Sequence, residues 1–186
     1  MKKVIRSTMI KKIGSLDNND VRFKSAIIKK TLLELLEFNK VAQSKKIGLY
    51  FQRGNEVRTK EIIEEFLELK KKVFLPRIVE NKIVMKQIES LKDLEKGSFG
   101  LIEPKNKCTE IDPNDLEVII IPCVSFDKDG NRLGSGNGYY DRFLSRCKAT
   151  KIILAYDFQI SKKIPSEEHD IKADWIITEK RLIKLK

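Results

Sequence analysis

An α/β fold, with a largely parallel or mixed central sheet carrying helices on both faces, is what this sequence predicts, and three observations predict it. Short β-branched runs alternate with amphipathic helical segments, the order of a sheet whose strands are joined by crossover helices. The run Val118–Ile121, VIII, is apolar at every position, as a strand buried on both faces requires. The chain's 186 residues, 41% hydrophobic, suffice for one substantial core. With no internal repeat, low-complexity segment or Pro/Gly-rich linker to divide them, residues 1–186 read as a single domain.

Taken in order, Lys2 to Lys12 reads as an N-terminal helix ended by Gly14. Asp20 to Phe38 places Phe23, Ile27, Ile28, Leu32, Leu35 and Leu36 at helical spacing, one face for the core. Ile47 to Phe51 is a short strand, followed by a turn at Gly54-Asn55, and Thr59 to Lys71 is a second amphipathic helix. Lys72 to Leu75 and Ile83 to Gln87 are strands, and Ser90 to Glu95 is a short helix opened by Ser90 with Asp93 three places on. The stretch from Lys105 to Asn114, bordered by Pro104 and Pro113, is expected to be the most mobile. Val118–Ile121, Ile152–Tyr156 and Trp175–Thr178 complete the central set, with a last strand near Leu182 to Leu185. Ligands in such sheets bind at the carboxyl ends of the strands, and the loop after Ile121 leaves from one.

No uncharged apolar run approaches the roughly 20 residues that span a bilayer. The basic N-terminus, MKKVIRSTMIKK, is broken by charge before a signal-peptide core forms, so no membrane partner and a cytoplasmic location are expected. Cys108, Cys123 and Cys147 are odd in number and far apart, which fits neither a disulfide framework nor a zinc spacing. The net charge of +11 favours anionic partners. Its lysines are spread among many glutamates, however, and no helix-turn-helix, zinc-finger or RNA-recognition pattern accompanies them, so small anionic substrates are expected rather than nucleic acid. The oligomeric state is left open, with a monomer as the simplest expectation.

The segment after Ile121 carries the chemistry. Asp129-Gly130 is a turn signal, and Gly134-Ser135-Gly136-Asn137-Gly138 follows, three residues without Cβ whose backbone N–H groups can converge on an anion. Tyr139 to Arg146 reads as a short helix, which puts the glycines at a helix N-terminus. The spacing is neither the dinucleotide fingerprint nor the P-loop, and a Gly-rich hairpin would account for the glycines alone. Arg132, Asp141 and Arg142 around them are what a magnesium-bound nucleotide needs and a plain turn does not.

With IIIPCVSFD before it, RLGSGNGYYDRFL closely resembles the signature of the 5-formyltetrahydrofolate cyclo-ligase (5,10-methenyltetrahydrofolate synthetase) family. FQRGNEVRT, FLPRI and GSFGLIEP upstream, and YDFQ and IPSEEHDIKADWIIT downstream, resemble its other motifs in the same order. Ser135 and Asn137 occupy variable loop positions that other members often fill differently.

The resemblance implies a sheet related to those of sugar-phosphate isomerases and CoA-transferases, with ATP and magnesium serving to cyclise 5-formyltetrahydrofolate. It assigns ATP binding to Lys2, Lys3, Arg6, Arg132, Leu133, Gly134, Ser135, Gly136, Asn137, Gly138, Tyr139 and Tyr140. Folate binding falls to Phe51, Glu56, the loop Ser135–Gly138 and Tyr139, and the metal to Asp141 and Asp170. Arg132 and Tyr139 are the catalytic candidates. Tyr139 is expected on the folate side of the loop and Tyr140 on the nucleotide side. Glu56 suits its role because a carboxylate can accept both N–H bonds offered along one pterin edge. His169, the lone histidine, reads as a solvated loop residue.

Overall fold

The computed structural model describes residues 1–38, 43–167 and 170–185. Four helices, α1 (Lys2–Gly14), α2 (Asn18–Phe38), α3 (Lys60–Glu68) and α4 (Tyr139–Leu144), accompany twelve strands among these residues. The strands are β1 (Lys46–Gly48), β2 (Lys72–Val79), β3 (Lys82–Ile88), β4 (Leu94–Lys96), β5 (Ile102–Pro104), β6 (Glu110–Ile111), β7 (Val118–Ile121), β8 (Ser125–Phe126), β9 (Arg132–Leu133), β10 (Thr150–Leu154), β11 (Trp175–Ile177) and β12 (Leu182–Lys184).

Eight of them form one mixed sheet in the order β12-β11-β10-β7-β1-β2-β3-β6. Its centre, β11 to β2, is parallel, while β12 and β3 join antiparallel on either side. All four side chains of β7 are buried because both faces are covered. Val118 and Ile120 pack with α2 and α3, whereas Ile119 and Ile121 pack with Phe143 and Leu144 of α4. A run without polar alternation is thus the consequence of a middle strand in a three-layer arrangement.

Several boundaries differ from the sequence expectation for local reasons. β1 stops at Gly48 rather than Phe51, since the chain leaves the sheet there to build the site. α3 ends at Glu68, not Lys71, because Lys70 turns left-handed (φ 57°) and the Lys71 N–H closes back onto the Phe66 carbonyl at 2.9 Å. β2 runs on through Pro76 to Val79, forming a long antiparallel ladder with β3. Proline is tolerated there because β1 pairs only as far as Phe74, which leaves that side of β2 without a partner in the sheet. Ser90 opens a single turn, Leu91–Asp93, held by the Asp93 carboxylate accepting from the N–H groups of Glu89 and Ser90 at 2.9 and 3.0 Å. Glu95 lies beyond it, in β4. The stretch expected to be mobile instead contains β6 and is tied down by buried Lys86, whose Nζ donates to the Asn106 and Cys108 carbonyls at 2.9 and 3.0 Å.

Candidate functional site

Three loops leave the carboxyl ends of neighbouring central strands: residues 49–59 after β1, 122–138 after β7 and 155–160 after β10. Gln159 ties two of them together. Its Nε2 donates to the Cys123 and Val124 carbonyls at 2.9 and 3.0 Å, and its Oε1 accepts from the Tyr156 N–H at 2.7 Å. The turn expected at Asp129-Gly130 forms around buried Asp127, which accepts from the N–H groups of Asp129 and Asn131, both at 3.0 Å.

Arg132 stands at the exit of that turn, with 3% of its side chain exposed. Nη2 donates to Asp141 Oδ1 at 2.6 Å, the guanidinium lies 5.9 Å from the Tyr140 ring, and buried Nε has no partner among the described residues. A buried cation that spends a single hydrogen bond on Asp141 and leaves its Nε unpartnered, next to a glycine loop, suits an anion.

In the loop, Gly136 (φ 114°) and Gly138 (φ 64°) hold positive-φ conformations that side chains disfavour. Two arginines take its carbonyls: Arg6 Nε donates to Gly134 at 2.9 Å, and Arg142 Nη1 to Asn137 at 3.0 Å. The N–H groups of Ser135, Gly136 and Asn137 donate to nothing among the described residues. Carbonyls tied back and amides left free make the polarity an anion selects. α4 stops at Leu144 instead of Arg146, because tighter turns to the Phe143 and Leu144 carbonyls replace its last residues. Six residues give a smaller dipole than expected, so the arginines supply most of the positive charge.

Of the other expected ATP contacts, Leu133 is buried in the core with its carbonyl accepting from the Val124 N–H. Lys3 is exposed on α1. Lys2 reaches Glu167 at 2.8 Å and Asp170 at 3.3 Å; the hydrogen bond to Glu167 does most to hold its ammonium above the ordinary range, against some burial. The same Asp170 oxygen accepts from the Glu167 N–H at 2.9 Å. No group of three or more His, Cys, Asp or Glu side chains stands together among the described residues. Asp141, a quarter exposed, nevertheless keeps Oδ2 without a hydrogen bond beside the loop. Asp141 could thus offer one oxygen to a magnesium ion together with phosphate oxygens, whereas the Asp170 oxygen is engaged by Lys2 and by the Glu167 N–H. His169 lies outside the described residues.

Glu56 is partly buried at the tip of the first loop, its Oε2 accepting from the Arg53 N–H at 2.8 Å. Burial raises its pKa, against the pull of Arg53. Beside it lies a cavity of about 10 Å³, lined by Ile13, Tyr50, Glu56, Val57, Pro122, Cys123, Leu154 and Gln159. That is room for about one water, so a flat bicyclic ligand enters only if α1 or the 49–59 loop shifts. A larger groove of about 420 Å³, at the amino ends of β7 and β10, is lined by Asp112–Asn114 and Ser145–Lys148 and shares none of these residues.

Phe51 is half-buried against the larger core cluster. Tyr140 lies near both Arg132 and Glu56: burial raises its pKa, Arg132 opposes this and Glu56 adds to it. Tyr139 instead faces Arg142, 5.1 Å from ring to guanidinium. Sequence reasoning did not place Tyr50 or Cys123 in the site. Burial drives the Cys123 thiol up to about 12, so it stays protonated at neutral pH.

Known proteins resemble this chain over most of its length. A model of the 5-formyltetrahydrofolate cyclo-ligase family matches residues 1–179. The mouse 5-formyltetrahydrofolate cyclo-ligase is 33% identical over 160 residues, covering 78% of this chain and 79% of the mouse protein. The protein of the same name from Haemophilus influenzae is 36% identical over 136 residues, 69% of this chain and 73% of that one. The solved 5,10-methenyltetrahydrofolate synthetase of Aquifex aeolicus superposes with a TM-score of 0.88 at 33% identity, covering 100% of this chain and 93% of its own. Its counterpart from Mycoplasma pneumoniae gives 0.79 at 26% identity, with 96% and 98% covered.

Proposed function

The chain belongs to the 5-formyltetrahydrofolate cyclo-ligase family, and from that premise we propose that it converts 5-formyltetrahydrofolate and ATP to 5,10-methenyltetrahydrofolate, ADP and phosphate. In the proposed sequence the formyl oxygen attacks the γ-phosphorus and the bond to ADP breaks. The side-arm nitrogen then attacks the formyl carbon, phosphate departs with the former formyl oxygen, and that nitrogen loses its proton as the ring closes. No nucleophile of the chain is needed, which fits a site without an activated thiol.

The chain's task is alignment and charge neutralisation. The observation that carries the reading is buried Arg132, one donor on Asp141 and Nε unspent, next to a loop whose amides are free. On this reading Arg132 grips the transferred phosphoryl group, the amides of Ser135–Asn137 hold the neighbouring phosphates, and Arg6 and Lys2 line the nucleotide side with α1. Asp141, with Asp170 as the second candidate, would hold a magnesium ion, which would supply neutralisation of phosphate charge. Glu56 takes the pterin edge, Tyr140 and Phe51 flank the ring, and Tyr139 closes the loop end.

No described helix is long and apolar enough to cross a membrane. A cytoplasmic monomer acting on small molecules is part of the same proposal. The test is methenyl-folate absorbance with purified protein: product should form only with ATP, a divalent metal and 5-formyltetrahydrofolate all present. Equal product without ATP, or none with every component, refutes it.

A further inference from the structure

The cavity behind Glu56 holds unmatched polar chemistry that a pterin-reading carboxylate alone leaves unexplained. Tyr50 is 5% exposed and its hydroxyl makes no hydrogen bond among the described residues. Glu56 uses only Oε2, on the Arg53 N–H. The remaining walls offer no remedy. Ile13, Val57, Pro122 and Leu154 are apolar, Cys123 is a weak partner, and the Gln159 amide is spent on Tyr156, Cys123 and Val124. A phenol that packs its ring in the core and leaves its hydroxyl without a protein partner keeps one donor for a ligand entering this cavity.

A pterin presents three groups in sequence along one edge: an exocyclic amine, a ring N–H and the C4 carbonyl. A carboxylate can accept from the first two but can give nothing to the third. We propose that the Tyr50 hydroxyl donates to the C4 carbonyl while Glu56 accepts the two neighbouring N–H groups, making Tyr50 a specificity-determining contact for 4-oxo pteridines. This rests on the folate reading above. Two features support it independently. Tyr50 and Glu56 lie in the same loop after β1, so a shift of that loop would carry both groups together. Burial, and then the nearby Glu56 charge, also hold the phenol protonated far above neutral pH, as a donor must be.

The experiment compares the parent with Tyr50→Phe, which keeps the packed ring and removes only the hydroxyl. Four quantities are measured on each: melting temperature, kcat, the KM values for 5-formyltetrahydrofolate and ATP, and inhibition by 6-hydroxymethylpterin and by 2,4-diaminopteridine. The expected result is a rise of about 5- to 10-fold in the folate KM, the effect of one lost hydrogen bond, with kcat and the ATP KM unchanged. Inhibition by the 4-oxo compound should weaken while that by the 4-amino compound does not. Unchanged folate KM, or equal weakening of both inhibitors, overturns the inference while leaving the cyclo-ligase reading intact. A changed melting temperature with parental KM values makes Tyr50 a packing residue and overturns it as well. If the parent forms no methenyl product, both fall together.

Discussion

Replacing Gly136 with alanine separates a phosphate cradle from an ordinary surface turn. The added methyl would stand 3.3 Å from Arg6 Cζ, with Nη2 and Nε at 3.5 and 3.6 Å, so crowding is mild. Backbone conformation carries the cost: at φ 114° a residue with a side chain is strained by about 1–3 kcal/mol. Arg6 cannot simply swing away, because its Nε is spent on the Gly134 carbonyl. The loop is exposed and can relax locally, so the strain should appear as loss of the binding conformation rather than of the fold. It then weakens ATP by roughly 5- to 150-fold, the span that such energies produce. If the strain were borne by folding instead, a chain of this size would melt roughly 2–4 °C lower for each kcal/mol. Calorimetry with a non-hydrolysable ATP analogue, thermal melting and turnover on one preparation decide between the two. An alanine variant that melts earlier yet binds the analogue as the parent does would refute the cradle and weaken the assignments of Gly134 and Gly138.

Arg132→Lys keeps the charge but not the planar fork, so kcat should fall by about 100-fold, with a far smaller change in ATP affinity; parental kcat removes Arg132 from the chemistry. Asp141→Asn should raise the magnesium concentration needed for half-maximal rate, and an unchanged metal titration would point to the Arg132 contact as its sole role. Burial raises the Glu56 carboxyl above its ordinary value of 4.5, so the folded state binds more protons than the unfolded one between those two values. Its contribution is therefore most favourable below the ordinary value and is lost as pH rises through the raised one. Glu56→Gln should accordingly gain in melting temperature relative to the parent at neutral pH and not in mild acid; a pH-independent difference would show that the carboxyl does not titrate as described. The same substitution should weaken folate binding and leave ATP binding intact, measured by calorimetry.

The central sheet was legible because burial on two faces writes itself directly into composition, in the apolar run of β7 and in most of the periodic faces of α2 and α3, though Phe23, placed on the core face of α2, is in fact 68% exposed while Val21 and Ser25 are buried. The boundaries that shifted did so through contacts no periodicity records, such as the left-handed Lys70 that stops α3 and the unpaired side of β2 that admits Pro76. The glycine loop was readable for a similar reason, since missing side chains are visible in a sequence. What holds that loop open was not. Arg6 and Gly134 meet only through the fold, and nothing local distinguishes the arginine that binds a carbonyl from one in solvent. Tyr50 was hidden by its position within the apolar run Ile47–Phe51, where it reads as one more core residue. Only a hydroxyl without a protein partner marks it.

The clasp between Arg6 and the Gly134 carbonyl spans 128 residues of chain, and that between Lys2 and Asp170 spans 168. Contacts closed over such separations are costly in loop entropy until the intervening sheet exists to align them. Synthesis makes α1 well before either of these two partners, which lie 128 and 168 residues further along the chain. The cradle proposed for the nucleotide is accordingly expected late in folding, after the secondary structure around it. Refolding followed by circular dichroism should run ahead of refolding followed by nucleotide binding, and any lesion that loosens the first helix, however far along the chain from the glycines, will be felt at the phosphates.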